Sequence, residues 1–504
     1  MTTTERPPYK VIGTRPIRHD GVDKVTGRAL YGNDVNVPGH VTGRILRSPH
    51  AHARILSIDT SRAEALPGVR AVVTGKDFPY VSPKLHEQGE SSLVNVGMLS
   101  RNCMAQDKAL FAGHALAAVA ADNPYIADEA LALIDVRYEV LKPVMDGLEA
   151  IAPGAPIVME DLKTNTASLF RGGGFRADDE PRYMTNVATS FEMEIGDLAN
   201  GFELADIVVE HDFHVGEAHQ GYIEPQSATA HWSADGRLTI WCSSQGHFSI
   251  RDLTAGILAI PVGNIKVVPL EIGGGFGAKL FTTIEPVAAM LSKKCGKPVK
   301  ITLSRTEVFD AVGPTSAAHV RVKMGVTNEG RLTAGTARLV FEAGAFPGSP
   351  VIGAATCMFT PYDIPNARVE GFDVLVNKPK VTAYRAPGAP AGALAVETIV
   401  DEFCERLSMD PIEFRLLNAA KEGTRRVTGV ASPKMGFVET LEAARDTPHY
   451  QSALAGPYRG RGLAAGFWGN APGQASVMAS LLADGTVSLV EGSPDIGGTR
   501  TTAA

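Results

Sequence analysis

Apolar positions along the chain change period several times, and each change predicts an element. In the first 150 residues, β-rich runs at Ala71–Thr74, Ala115–Ala120 and Ile134–Tyr138 flank a helix-like stretch, Tyr125–Leu133, which together read as one small α+β unit. Between Ala152 and Arg182 the composition turns to Pro, Gly, Asp and Arg, so a linker is expected over 151–182, with Arg171-Gly-Gly-Gly-Phe-Arg176 inside it. Beyond it strand and helix signals alternate. Arg237–Cys242 alternates with period two, Ile265–Leu270 is β-rich, Pro286–Lys294 is helical and Val299–Leu303 is a strand again, an α/β signature. The Pro286 helix has Pro near its first position, Lys293 and Lys294 in its last turn, and Gly296 with Pro298 to stop it. Further helices are expected at Gly392–Leu407, with Leu394, Ile399, Val400, Phe403 and Leu407 as its core stripe, and after Asp410, where Asp410 and Glu413 have capping-box spacing. Ala234-Asp-Gly, Asn328-Glu-Gly and Ala483-Asp-Gly each precede a β-rich run and read as hairpin turns. The pattern sets one boundary, the linker separating a unit over 1–150 from the rest of a multidomain α+β and α/β protein.

Composition narrows the classes of function. With 44% hydrophobic and 20% charged residues the 504-residue chain is globular rather than disordered or fibrous. A net charge of −7 argues against a nucleic-acid binder and leaves a small-molecule substrate or a protein partner. The opening residues hold no apolar signal segment and no run reaches the roughly 18 apolar residues of a membrane span, so a soluble, cytoplasmic protein is expected. The five cysteines are scattered and never paired as C-x-x-C, which fits neither a disulfide framework nor an iron–sulfur cluster.

Three segments could carry chemistry. Glu271-Ile-Gly-Gly-Gly-Phe-Gly-Ala-Lys279 lies after a strand and before a helix, where glycines let backbone N–H groups approach an anionic or oxygen-rich ligand. It matches neither a dinucleotide fingerprint nor a P-loop, because Leu280 follows Lys279. In Ala383-Tyr-Arg-Ala-Pro-Gly388 an Arg sits in a stiff turn before a helix, placed either to donate to an anion or simply to face water. In Trp241-Cys-Ser-Ser-Gln-Gly-His247 a strand ends in polar residues able to reach into a cleft. His50 and His52, on an expected strand, and His211, His214 and His219 lack a carboxylate or Cys at ligand spacing and read as structural; Cys357 and Cys404 read as packing residues.

Taken together, the order and wording of these segments resemble the molybdenum-binding large subunit of the xanthine dehydrogenase and aldehyde oxidase family, the molybdenum hydroxylases. Arg18-His-Asp-Gly-Val-Asp-Lys-Val-Thr-Gly-Arg28 and Arg47-Ser-Pro-His-Ala-His-Ala-Arg54 resemble that family's N-terminal hammerhead domain. His219–Gln226, Gln245, Gly273–Lys279, Ser304-Arg305, Arg385, Asp410–Arg415 and Gly492–Arg500 match in turn. The resemblance implies a hammerhead domain over 1–150, a first molybdenum-cofactor-binding domain over 183–425 and the start of a second over 426–504. It implies that Gln245 hydrogen-bonds an oxo ligand of the metal and that Arg385 lies over the ligand sphere or substrate. By the same token the loop at Gly274, Gly275, Phe276 and Gly277 approaches the metal and its dithiolene, while Gly497 and Gly498 lie against the pterin. No protein side chain is expected to ligate the metal. The implied cofactor is molybdenum-molybdopterin in its cytosine dinucleotide form. The implied reaction is hydroxylation of an aldehyde or N-heteroaromatic with water as the oxygen source. Electrons then pass to a 2Fe–2S small subunit and an FAD-binding medium subunit.

The chain also departs from the resembled pattern. Family members continue beyond the Gly492–Arg500 segment into a part that supplies more pterin contacts and the catalytic Glu. A further chain completing that part is therefore expected, the alternative being a non-catalytic or truncated pseudo-subunit. Neither Glu224 nor Glu285 occupies the position of that Glu. Leu280 and Gly353 stand where purine oxidisers carry Glu and Arg, Thr382-Ala-Tyr384 stands where carbon monoxide dehydrogenases carry a copper-binding Cys, and Gly497 replaces a cofactor-contacting Gln. Xanthine and carbon monoxide are thus disfavoured as substrates.

Overall fold

The computed structural model describes residues 14–15, 17–82, 85–88, 92–168, 185–469, 476–492 and 494–497. The Arg171–Arg176 run and Gly498 lie outside the described residues.

Two large mixed sheets organise the chain. The first has seven strands in the order Ile265–Pro269, Leu238–Cys242, Ser227–Trp232, Val299–Thr302, Val41–Arg47, Ala115–Ala121, Val69–Thr74. Strands from the first 150 residues and from the following region therefore share it, through parallel pairing of Val41 with Val299 and Gly43 with Ile301. Beside its Val69–Thr74 edge the sheet carries small residues: Ala115–Ala121 is buried at every position, and Ala and Val let helices close over both faces. Helices His247–Leu258 and Glu285–Cys295 bury Ile250, Leu253, Val287 and Leu291 against one face, and helix Pro124–Ala132 packs Ala127 and Ala130 on the other. The Glu285 helix is punctuated as its sequence predicts, with Pro in the first turn and Gly296 left-handed at its end.

The second sheet runs Ile207–Val215, Ala318–Val326, Leu332–Gly344, Asn366–Leu375, Val187–Ile195, Asn165–Ser168. Val320, Val322 and Met324 alternate into a core shared with helices Val351–Cys357 and Ala389–Leu407, where Ile399, Val400 and Phe403 are fully buried. Leu394 is the exception to the expected stripe and is half exposed. The three hairpin turns share one geometry: Gly236, Gly330 and Gly485 have φ near +84°, and Ser233, Thr327 and Leu482 each donate N–H to the carbonyl four residues on. That is a three-residue loop with a left-handed Gly, repeated three times. Asp410 caps helix Pro411–Leu417 through the Ile412 and Glu413 N–H groups, without the reciprocal Glu413 bond of a capping box. His50 and His52 lie in the turn before strand Ala53–Asp59 rather than on a strand, and the buried His52 ring bonds the Lys142 carbonyl.

Candidate functional site

Strand Leu238–Cys242 leaves the first sheet and ends at Ser243-Ser-Gln245, immediately before helix His247–Leu258. There Gln245 is locked to the Gly-rich loop. Its backbone N–H donates to the Lys279 carbonyl at 2.9 Å, and its Oε1 accepts from Gly277 N at 2.8 Å and Lys279 N at 3.3 Å. With the carbonyl end committed, the Gln245 amide Nε2 is left as a donor with no partner among the described residues. Gly275 is required by this contact, since a Cβ there would lie 2.4 Å from Gln245 Oε1. Gly277 has φ +117° and its missing Cβ would meet the Ala383 carbonyl at 2.3 Å, so the Gly-rich loop rests directly on the Arg385 turn. Positive φ at Gly274, Phe276 and Gly277 bends the loop into the kind of backbone concavity that presents N–H groups to an anion.

The Arg385 turn is itself strained. Arg385 and Ala386 hold φ of +24° and +59°, conformations that cost non-Gly residues about 1–3 kcal/mol each and persist only where surrounding contacts impose them. Those contacts are visible. Arg385 N donates to the Phe276 carbonyl at 3.1 Å, and Gln220 Nε2 donates to Thr382 Oγ1 at 2.8 Å and the Ala383 carbonyl at 3.0 Å. Thr382 Oγ1 in turn donates to the Gly313 carbonyl at 2.7 Å. The Arg385 guanidinium is exposed and makes no bond among the described residues, beside exposed Phe276 and Tyr384, whose rings meet edge to face at 6.5 Å. Gly353, on helix Val351–Cys357, faces the same turn; a Cβ there would come within 2.6 Å of the Pro387 carbonyl and 3.9 Å of the Trp468 ring. Trp468 is not legible in the sequence as a site residue. Its only signal is a rare Trp within Gly466-Phe-Trp-Gly469.

Beneath the loops lies a buried ion pair that sequence reasoning also missed. Glu224 Oε2 accepts from Lys279 Nζ, Ser243 Oγ and Gly273 N, each at 2.7 Å, while Oε1 accepts from Gly32 N at 2.9 Å. The Lys279 side chain is 1% exposed, and burial pulls its ammonium below the usual lysine range although Glu224 opposes the shift. A carboxylate receiving four donors is a clamp joining the N-terminal segment, the strand end and the Gly-rich loop. Glu285 is likewise tied down, by Thr282 Oγ1 at 2.9 Å and Thr283 N at 2.8 Å, and burial raises its pKa. Arg305 donates to the Tyr222 carbonyl at 2.9 Å and to the Ile223 carbonyl, fixing the chain just ahead of Glu224.

The C-terminal residues approach from the other side. Gly497 is exposed at φ +100° and donates its N–H to Asp495 Oδ1 at 2.8 Å. Asp495 pairs with Arg18 at 3.0 Å, Arg18 with Asp20 at 2.7 Å, and Lys24 bridges Asp20 at 2.7 Å and Glu271 at 2.9 Å. This chain of charges borders a cleft of about 700 Å³ lined by Arg28, Asp34, Trp241, Leu270, Glu271 and Asp495. Gly492 lies against Phe248, three residues from Gln245, a Cβ at Gly492 coming 2.3 Å from that ring. The structure thus brings Gln245, Gly274–Gly277 and Arg385 into one cluster and links Gly497 to it through the charges ending at Glu271. Among the expected histidines, His211 pairs with Glu402 at 2.6 Å and His219 packs edge-on against Phe309, both structural contacts.

Two unpaired donors, the Gln245 amide and the Arg385 guanidinium, rise from loops whose missing Cβ atoms leave the backbone bare. That donor set fits an anionic, oxygen-rich group such as a metal oxo centre with its pterin phosphate. Comparison with known proteins agrees. Residues 179–419 match the molybdopterin cofactor-binding domain family, and residues 26–142 match the a/b hammerhead domain of aldehyde oxidase and xanthine dehydrogenase. The nicotinate dehydrogenase large molybdopterin subunit of Eubacterium barkeri is 31% identical over 443 residues, covering 87% of this chain and 96% of that one. The carbon monoxide dehydrogenase large chain of Afipia carboxidovorans is 30% identical over 81% of this chain but only 50% of its own length. Among solved structures, the aldehyde oxidoreductase of Desulfovibrio gigas superposes with a TM-score of 0.79 at 26% identity, over 94% of this chain and 51% of that one. The chain therefore spans nearly all of one relative and about half the length of others. From the fold, the two strained loops and these matches, the chain belongs to the xanthine dehydrogenase and aldehyde oxidase family of molybdenum hydroxylases.

Proposed function

We propose that this chain is the molybdopterin-binding subunit of a hydroxylase that oxidises an aldehyde or N-heteroaromatic compound, with electrons leaving to iron–sulfur and FAD-binding partner subunits. The observation that carries the reading is the mutual locking of the Gln245 strand end, the Gly-rich loop and the Arg385 turn, which holds two free donors over bare backbone. The molybdenum–pterin group, in the cytosine dinucleotide form, would supply oxygen transfer from water and accept the substrate's electrons. This chain's residues would hold it. Gln245 would donate through Nε2 because its carbonyl is already occupied, Gly274–Gly277 would approach along their backbone, and Gly497 would lie toward the pterin. Arg385 offers a permanent cation to an oxygen at which negative charge develops.

Glu224 already accepts four donors and is held in place by them, so it is poorly suited to moving a proton, which supports a base other than Glu224. Exposed Phe276, Tyr384 and Trp468 form an aromatic rim suited to a planar heteroaromatic substrate. Gly353, pressed on Pro387, and Leu280 offer no charged group to a purine. The exposed rim and the unpaired donors support a second reading equally, a non-catalytic subunit that keeps the fold with its site residues idle.

Elemental analysis of the complex purified from its own host, with every band identified by mass spectrometry, tests the two readings. Near-stoichiometric molybdenum with a second cofactor-binding chain and an iron–sulfur subunit is expected. A metal-free chain purifying alone would overturn the enzymatic reading.

A further inference from the structure

A second cluster of chemistry-bearing side chains lies apart from the cofactor loops. Asp146 lies near the end of the N-terminal 150 residues and caps the short helix Gly147–Ala150: its Oδ1 accepts from Leu148 N at 2.8 Å and Glu149 N at 3.1 Å. This leaves Oδ2 turned toward His319 Nε2, 3.1 Å away on strand Ala318–Val326 of the six-stranded sheet. Glu342, at the end of the neighbouring strand and with a side chain only 3% exposed, accepts the Gly147 N–H on Oε1 at 2.9 Å. One ligand atom from each of Asp146, His319 and Glu342 lies within 4.8 Å of the others.

We propose that Asp146, His319 and Glu342 bind one divalent transition-metal ion of the zinc type, which staples the end of the N-terminal unit to the six-stranded sheet. One imidazole and two carboxylates form a mixed nitrogen and oxygen set that suits Zn²⁺ and its neighbours better than Ca²⁺ or Mg²⁺, which take oxygen alone. The ligands are oriented before any ion arrives, because backbone N–H groups hold both carboxylates from behind. His214 stands directly opposite His319 in the antiparallel pair, its ring centroid 4.6 Å away, and is placed to supply a fourth ligand or to orient a bound water.

The local charge favours a dication. Among the described residues, Glu342 and the adjacent Glu217 share one lysine, Lys378, which bonds Glu342 Oε2 at 2.8 Å and Glu217 at 3.2 Å, while Asp146 faces only the His319 ring. Two negative charges remain uncompensated, and Lys378 keeps Glu217 as a partner when an ion takes Glu342. Asp146 and His319 are 38% and 20% exposed, so the site has an entrance while Glu342 forms its floor.

Zinc binding to the intact protein as purified, read by equilibrium dialysis with elemental analysis in a Cys295→Ser background, tests the proposal. That background removes the partly exposed thiol. One zinc equivalent is expected, lost in Asp146→Asn and His319→Gln. Asn caps helices as well as Asp, so Asp146→Asn keeps the fold even where His319→Gln does not. Lys378→Met removes the competing cation and should tighten zinc binding by about tenfold, a gain that a plain ion-pair network would not produce. Absence of zinc in the unsubstituted protein, a full equivalent retained in Asp146→Asn, or unchanged affinity in Lys378→Met would each overturn the assignment, leaving an ion-pair network only.

Discussion

Removing the Glu224 carboxylate should damage the protein far more than removing its lysine partner. In Glu224→Ala the Lys279 ammonium, 1% exposed, keeps among the described residues only Ser243 Oγ at 3.2 Å and the Tyr222 ring at 5.0 Å. An uncompensated buried charge costs about 3–5 kcal/mol, and the Gly32 and Gly273 N–H groups lose their acceptor as well. In Lys279→Met the carboxylate still receives Gly32 N, Gly273 N and Ser243 Oγ, three donors that solvate it in place, so the loss should be about 1–2 kcal/mol. In Glu224→Gln an amide nitrogen must face donors, and adding Lys279→Met to it should recover about half of the loss. Urea unfolding of the four variants, with equal m-values as the control, measures the asymmetry. Equal losses for Glu224→Ala and Lys279→Met, or a loss below about 1 kcal/mol in Glu224→Ala, would refute the description of Glu224 as the clamp beneath the Gly-rich loop.

Gln245→Glu keeps an oxygen for the Gly277 and Lys279 N–H groups but replaces the donor pointed at the proposed cofactor, and turnover of the assembled complex should fall by about 10²–10³ with little change in unfolding midpoint; unchanged turnover would defeat that role. Gly275→Ala forces its Cβ onto Gln245 Oε1, and molybdenum content per complex should drop while circular dichroism stays unchanged. Burial pushes the His114 imidazole down to about 4, so it folds neutral, accepting from Leu110 N and donating to the Arg101 carbonyl. Because the folded pKa lies below the unfolded one near 6.5, this contribution is complete above pH 6.5. It is lost as the pH falls toward 4, to a total of about 3 kcal/mol. Comparing urea midpoints at pH 7 and 5 should show a flatter pH dependence in His114→Asn than in the unsubstituted chain.

Local rules carry far here, and their failures have physical causes. The Glu285–Cys295 helix is readable because Pro, two lysines and Gly296 all act within a turn of its ends. The Gly-rich loop, Gln245 and the Arg385 turn are readable as motifs with the right flanks. Their contact is not, because it depends on Gly277 meeting Ala383 across more than one hundred positions. The Glu224–Lys279 pair joins residues 55 apart with no period between them. Helical spacing puts Leu394 in the core stripe because spacing alone does not say how wide a face the sheet covers. The metal-type cluster escapes for a related reason. His214 and His319 meet only through strand pairing, and Asp146 arrives from before the linker.

The parallel pairing of Val41 with Val299 bears on how the chain is made. Strand Val41–Arg47 gains its neighbour Val299–Thr302 only after ribosomal synthesis has passed residue 302, a wait of roughly 10–50 s at 5–20 residues per second. During that interval the nascent N-terminal part shows an open, apolar strand edge, the kind of surface that chaperones hold and neighbouring chains aggregate through. Such a long-range closure also implies slow folding. The first 150 residues expressed alone should therefore be insoluble, and co-expression with the remainder of the chain should rescue them.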